Sequence, residues 1–447
     1  MIQFKEVKTP LIENELTPIT LSDETMEKRK EKVISRMKIE KFDSIIIYAD
    51  LEHGSNFEYL TGFVPRFEEA LLVLHSNGKA FMVLGNENLN KASKARLTVK
   101  AIHMPHFSLP NQPMSDNLSV EEILAKCELS NCNKIGLVGW KNFTSKIEDN
   151  SELFDLPYFL VEGIKNVSKR AKLYNATYLL IGEQFAHYEF GAALAGNCIL
   201  STMEELDIGK TEMELASNLA SLGQPHSVVT IMATGDRFVK ANIYPTNKEI
   251  KLGDKISITT GFKGGLQSRG GYAVSSANEL PDGETDYLER IAIPYYQAIT
   301  TWLETIKIGI NGKDLYNEIE KILPKEKYGW TLNPGHLCAD EEWMSSPIYP
   351  DSNEIIESGM LFQIDIIPSV KGYGGISCES GVFLADKELR DAIKMQYPEM
   401  WKRITNRRKF MKEELGLKIS EEILPTSMAT AFCRPFMLNK KSAFKNI

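Results

Sequence analysis

Thiols, imidazoles and carboxylates are the side chains here that could carry nucleophilic, acid–base or metal chemistry, and their spacing narrows the choice. The six cysteines, Cys127, Cys132, Cys198, Cys338, Cys378 and Cys433, contain no C-x-x-C pair. A long chain needs no disulfide staples, so they read as reduced thiols. Cys338 lies two residues after His336, and Cys378 immediately precedes Glu379. That raises a Cys–His nucleophile, although a small core hydrophobe is the favoured reading of both thiols. His103 and His106, either side of Pro105, have no neighbouring cysteine or acid to complete a metal site and read as surface histidines. The basic run Lys402, Arg403, Arg407, Arg408 and Lys409 lacks the aromatic interleaving of single-strand binders and reads as a solvated helix face.

These residues sit in a chain of 447 residues with a net charge of -8, 43% hydrophobic and 25% charged residues. That length exceeds what one hydrophobic core organises, so two or three domains are expected, with ordinary globular composition. The sequence pI near 5.6 has the wrong sign for gripping phosphate backbones, and no nucleic-acid partner is expected. Residues 1–15 scatter charges among isolated apolar residues, unlike the apolar core of a signal peptide. Runs such as Ser44–Tyr48 and Ala70–Leu74 are far short of a bilayer span. A cytoplasmic protein with no membrane partner is the expectation.

The elements that must position the chemistry follow from periodicity. Ser22–Glu40 carries apolar residues at helical spacing, and Ser44–Tyr48 is a β-branched run. Strands are expected at Ala70–Leu74, Ala80–Leu84 and Lys134–Val138, the first two joined through an Asn77–Gly78 hairpin turn. From Val167 a long helical stretch is expected towards Leu194, and Thr211 opens another. Further strands are expected at Ser227–Met232, Lys255–Thr260, Met360–Ile367 and Gly381–Ala385, with helices at about Thr285–Lys307 and Lys313–Leu323. Strands and helices in blocks argue for α+β in this half, after an α/β unit ending near Gly163. The apolar stretch Leu424–Phe436 needs burial.

Several phrases resemble the creatinase, prolidase and methionine aminopeptidase superfamily, whose catalytic half has the pita-bread fold. Tyr59–Phe63 is similar to the Y-L-T-G-F phrase of creatinases and Xaa-Pro peptidases, and Thr211–Leu215 to the family's T-E-x-E-L helix start. Gly253–Ile258 resembles the G-D-x-h-x-h entry to the first metal-bearing strand, h being apolar. Gly335-His336 and Gly359–Ile364 resemble the G-H and G-M-x-F-x-I phrases. The resemblance implies an α+β pita-bread domain over 166–410, a smaller α/β domain over 1–165, and a tail, 411–447, packed on the body.

In that family two divalent metals are held by two Asp, one His and two Glu. Carried over one at a time, the first Asp falls on Thr259, the second on Arg269, the His on His336, the first Glu on Asp365 and the last on Glu379. Two of five ligands are absent, and Arg269 would bring a positive charge into their space, forking onto Asp365 or Glu379. No metal or other cofactor is therefore expected. Creatinase works without metal through a histidine whose position here is Asn242, and an amide cannot shuttle protons.

The resemblance thus implies a creatinase-like, metal-independent hydrolase of a C–N bond in a small amino-acid-like compound. His336 would be the acid–base group, Asp365 and Glu379 would orient it and hold a cationic group, and Arg269 would bind a carboxylate. Thr259, Asn242 and Arg66 would line the ligand site, Arg66 reaching across a homodimer. The alternative is a silent pita-bread protein that binds a peptide or metabolite. His336 then reads as a former ligand satisfied in a closed core, Arg269 as a plug, and Thr259 as an ordinary strand residue.

Overall fold

The computed structural model describes residues 1–114, 118–180, 185–236 and 244–447. Two compact units emerge: Thr20–Gly182, and Met1–Ile19 together with Glu183–Ile447. Strand β1 (Ile2–Glu6) opens the chain and belongs to the second unit.

In the first unit the order β5-β4-β3-β2-β6-β7 builds one sheet. It uses β2 (Ser44–Ala49), β3 (Ala70–His75), β4 (Ala80–Leu84), β5 (Lys100–His103), β6 (Lys134–Val138) and β7 (Lys172–Asn175). Ile45 and Ile47 join one core with Val33, Met37 and Phe57, while Ile46 and Tyr48 join another with Leu124, Leu160 and Ile164. A sheet covered on both faces needs apolar residues at consecutive positions, which is why β2 to β4 read as unbroken apolar runs. The helix Asp23–Ile39 starts where Ser22 Oγ accepts the Thr25 N–H, a side-chain N-cap. The expected hairpin turn holds, Gly78 taking a φ of 88° that favours glycine.

The helical stretch expected from Val167 is broken. The helix Tyr158–Val167 ends there, β7 pairs parallel with β6, and the next long helix begins only at Phe185. The open edge of β6 captures Lys172–Asn175, a tertiary pairing that overrides local periodicity. The first unit therefore extends past 165, where the sequence reading ends it.

The second unit follows the order β11-β12-β13-β10-β9-β8. Its strands are β8 (Ile231–Thr234), β9 (Lys255–Phe262), β10 (Gly265–Tyr272), β11 (His336–Leu337), β12 (Leu361–Ile364) and β13 (Ser377–Leu384), with β14 (Ile423–Pro425) paired to β13. A last strand, β15 (Ser442–Asn446), pairs antiparallel with β1, so residues 411–447 supply two strands; Leu424 to Phe436 are buried apart from half-buried Met428. The helix Phe185–Glu205 packs on β9 and β10. A Cβ at Gly191 would run into the Lys263 carbonyl, so glycine sets that close approach.

The basic helix Pro398–Glu413 is not a solvated face. Arg407 is buried and bonds both oxygens of Glu13 at 2.8 Å and Glu189 at 2.6 Å, and Arg403 also pairs with Glu189. Arg408 donates to the carbonyls of Ser420 and Ile423. Among the described residues no helix is long and apolar enough to cross a membrane.

Candidate active site

Register decides which side chains share a face, because antiparallel partners point the same way and alternate residues point apart. Ser268 on β10 lies opposite both Thr259 on β9 and Glu379 on β13. Thr259 Oγ1 and Ser268 Oγ are 2.9 Å apart in a hydrogen bond, and Ser377 Oγ donates to Glu379 Oε1 at 2.9 Å. On the far side of β13, Ile364 pairs with Ser380, which brings the next residue, Asp365, beside Glu379. β11 then adds His336.

His336 is 0% exposed. Its Nε2 lies 2.9 Å from Glu342 Oε1 and 3.8 Å from Asp365 Oδ2, and its ring stacks on Trp343 with centroids 4.0 Å apart. Glu342 is off the Nε2 bonding axis, so Nε2 has no aligned hydrogen bond, and Asp365 Oδ1 has none either. Asp365 and Glu379 are 6% and 7% exposed. Burial works to lower the His336 imidazole, but Glu342 and then Asp365 outweigh it and hold it above its ordinary range. Burial pushes the Asp365 carboxyl up to about 6, His336 opposing and Glu342 assisting. Glu379 rises well above the usual carboxylate range through burial and then repulsion by Asp365.

Arg269 is not in this cleft. One residue along from Ser268, it pairs in register with Cys378 and points to the opposite face. It is 1% exposed, and its donors reach the carbonyls of Phe432 at 2.8 Å, Ser268 at 2.6 Å, Glu379 at 2.8 Å and Ala429, with Ser380 Oγ at 3.1 Å. Neither the carboxylate clamp nor the fork onto Asp365 or Glu379 exists. The guanidinium instead ties the segment 429–432 to the sheet. The antiparallel register set by the two-residue turn Lys263-Gly264 pairs Thr259 with Ser268, and a step of one residue puts a side chain on the other face.

The remaining sequence-derived residues divide. Thr259 is on the site face. Asn242 lies outside the described residues. Arg66 is exposed in the Thr20–Gly182 unit. Cys338 is buried against the Gly264 carbonyl, its thiol pushed well above its ordinary range by burial, so it is no activated nucleophile. Glu342 and Trp343 were not singled out in the sequence. Their signal was slight, an acidic run Asp340-Glu341-Glu342 soon after His336, followed by one of only five tryptophans.

The donor set can be tested against two divalent ions. Four carboxylates and an imidazole would be needed, whereas Thr259 and Ser268 offer neutral hydroxyls already bonded to each other. Among the described residues no three His, Cys, Asp or Glu side chains are grouped so as to hold a metal ion. This set does not fit a dinuclear centre.

Residues 187–386 match the model of metallopeptidase family M24. No curated protein matches the chain. Among solved structures, the chain is similar to a Xaa-Pro dipeptidase from Bacillus anthracis at 16% identity, over 81% of this chain and 96% of that one, with a TM-score of 0.61. It is similar to a recombinant prolidase from Thermococcus sibiricus at 18% identity, over 83% and 96%, with a TM-score of 0.63. The dipeptidase PepE from Mycobacterium ulcerans matches at 14% identity, over 82% and 95%, with a TM-score of 0.63. At these identities the likeness shows a shared fold.

Proposed function

We propose that the chain, whose residues 187–386 match the model of metallopeptidase family M24, is a peptidase-like hydrolase on the pita-bread fold that has lost the dinuclear metal centre. It breaks a C–N bond in a small amino-acid-like compound without metal. The observation that carries this is the convergence of His336, Glu342, Asp365 and Glu379, with His336 Nε2 and Asp365 Oδ1 lacking aligned partners in a buried site. Such polar atoms are costly unless a ligand completes them. His336 takes a proton from water as its oxygen bonds to the carbon, then returns it to the leaving nitrogen. Asp365 and Glu342 orient the imidazole. Glu379 holds a cationic group of the substrate.

Elemental analysis and a turnover panel test this on chelator-treated protein, with Xaa-Pro dipeptides and N-amidino amino acids as substrates and released amine as the readout. Product that survives chelation and disappears in His336→Asn is expected. Turnover only with added Mn²⁺, or undiminished in His336→Asn, would overturn it. The second reading, a silent binding protein, is favoured by the complete burial of His336 beneath Trp343; ligand binding without product is its signature. The homodimer belongs to the same proposal. Arg66 is exposed, as a residue reaching a second copy must be. A monomer in light scattering would remove it.

A further inference from the structure

Beside His336 lies a buried amide that the hydrolytic scheme leaves unused. Gln363 on β12 pairs in register with His336 on one side and with Gly381 on the other, two residues before Asp365. Alternate residues of a strand share a face, so its side chain lies on the face of His336, Asp365 and Glu379. It is 0% exposed, and neither Nε2 nor Oε1 has a hydrogen-bond partner among the described residues.

Other buried amides of the chain are tied at both ends. Gln267, on the opposite face of the same sheet, donates to Ser427 Oγ at 3.1 Å and accepts from Ser380 Oγ at 2.9 Å. Asn175 donates to the Leu153 carbonyl at 2.9 Å and accepts the Thr177 N–H at 3.0 Å, and Asn88 donates to the Arg66 carbonyl at 2.9 Å and accepts from Lys91 Nζ at 2.7 Å. Leaving both ends of a buried amide open is costly unless something completes them. There is room beside it. A Cβ on Gly265 would stand at an ordinary contact distance, 3.6 Å, from Gln363 Oε1, so the glycine leaves a methyl-sized space next to the amide oxygen. Asp365 Oδ1, on the same face, also lacks an aligned partner. The open set is an amide N–H, an amide oxygen and a carboxylate oxygen.

Resting on the reading of this face as the site for a small amino-acid-like compound, we propose that Gln363 is a specificity-determining residue that binds a primary carboxamide of the ligand, amide to amide. A primary carboxamide carries its oxygen and one N–H on the same side, so it meets Gln363 Nε2 and Oε1 with two parallel bonds and keeps its second N–H for Asp365 Oδ1. A trans peptide bond holds N–H and C=O on opposite sides and makes only one of that pair. A carboxylate brings no donor to Oε1 and meets Asp365 and Glu379 as like charges. A single water cannot meet two adjacent amide atoms with straight bonds. Asp365 and Glu379 retain 6% and 7% exposure, which marks the side from which the group enters.

Calorimetry and thermal shift on the full, chelator-treated chain test this, with N-acetylglycinamide, N-acetylglycine and N-acetylglycine N-methylamide as probes. The primary amide should bind about tenfold more tightly than either of the others, the scale of one or two added hydrogen bonds. Gln363→Met, which keeps the length and removes both polar atoms, should erase that preference. It should also raise the Tm of the ligand-free protein by about 2 °C or more, because two unpaired buried atoms are gone. Equal affinity for the three probes, or no binding of the primary amide, would overturn the proposal, and this comparison on the wild-type chain stands whether or not the variant folds. A lower Tm in Gln363→Met, or a preference that survives in it, would also overturn it, since the amide would then be a structural group with partners of its own. Tight binding of N-acetylglycinamide with no released ammonia, and no turnover of the dipeptide panel, sinks the hydrolase reading and leaves this assignment standing. Metal-free turnover without any preference for the primary amide does the reverse.

Discussion

The two faces of strands β10 and β13 solve opposite problems with the same backbone. On one face, Ser268 and Glu379 look towards Thr259, Asp365 and His336, where like charges crowd together and polar atoms lack aligned partners. On the other, Arg269, Gln267 and Ser380 form a closed hydrogen-bond set with the carbonyls of residues 429–432. A buried group whose every donor is satisfied contributes to structure. One left short of partners at a convergent point keeps capacity for a ligand. The single-residue alternation of a strand separates the two roles, and the contrast can be broken experimentally.

The largest effect is expected on the satisfied face. Arg269→Met strips partners from several buried carbonyls and should cost about 3–5 kcal/mol, read as a fall in the urea midpoint at unchanged m-value. Arg269→Lys, lacking the fork, should recover only part of that. A loss below about 1 kcal/mol would mean that the guanidinium is not the tie between sheet and tail.

Next comes another paired buried charge, Glu189. Burial alone would raise the Glu189 carboxyl, but Arg407 and Arg403 outweigh it and hold it below the usual carboxylate range. With its folded pKa depressed, its contribution is complete above the unfolded value of about 4.3 and is lost as pH falls through the folded one. Glu189→Gln should therefore cost about 2–3 kcal/mol near neutrality, the scale of charge-assisted hydrogen bonds, and much less at the acid end. A penalty independent of pH would refute the ion-pair account.

On the unsatisfied face the sign should reverse. Asp365→Asn removes one of two adjacent buried carboxylates, so it should leave stability equal or raise it by about 1 kcal/mol while abolishing turnover. Chemical denaturation beside the amine-release assay reads both. A variant destabilised as heavily as Arg269→Met would erase the distinction between the faces. The smallest effect is expected for Thr259→Val, which deletes one neutral hydrogen bond to Ser268 and should cost roughly 0.5–1.5 kcal/mol, with substrate affinity shifting little. A large loss of affinity would give Thr259 a direct ligand contact.

Much of the fold was legible because local signals and tertiary demands agreed. The apolar runs of β2, β3, β4 and β6 are strands because both sheet faces are covered, and the Ser22 cap starts its helix within a residue of the expected place. Where tertiary pairing outbid periodicity, as at β7, local reading failed.

By itself the sequence determined the α+β layout, the phrases that resemble the pita-bread family, and the residue types that meet at the site, a histidine and two carboxylates. Which side chains face one another was decided by register, since a shift of one residue exchanges the sheet's two faces without altering composition. Register moved Arg269 out of the cleft and put Ser268 in its place. Glu342 and Trp343 reach His336 through a closed loop and its ties to Lys263, Gly264 and Tyr188. Those partners are distant in the chain, and no local pattern encodes a contact whose energy exists only after both segments have folded.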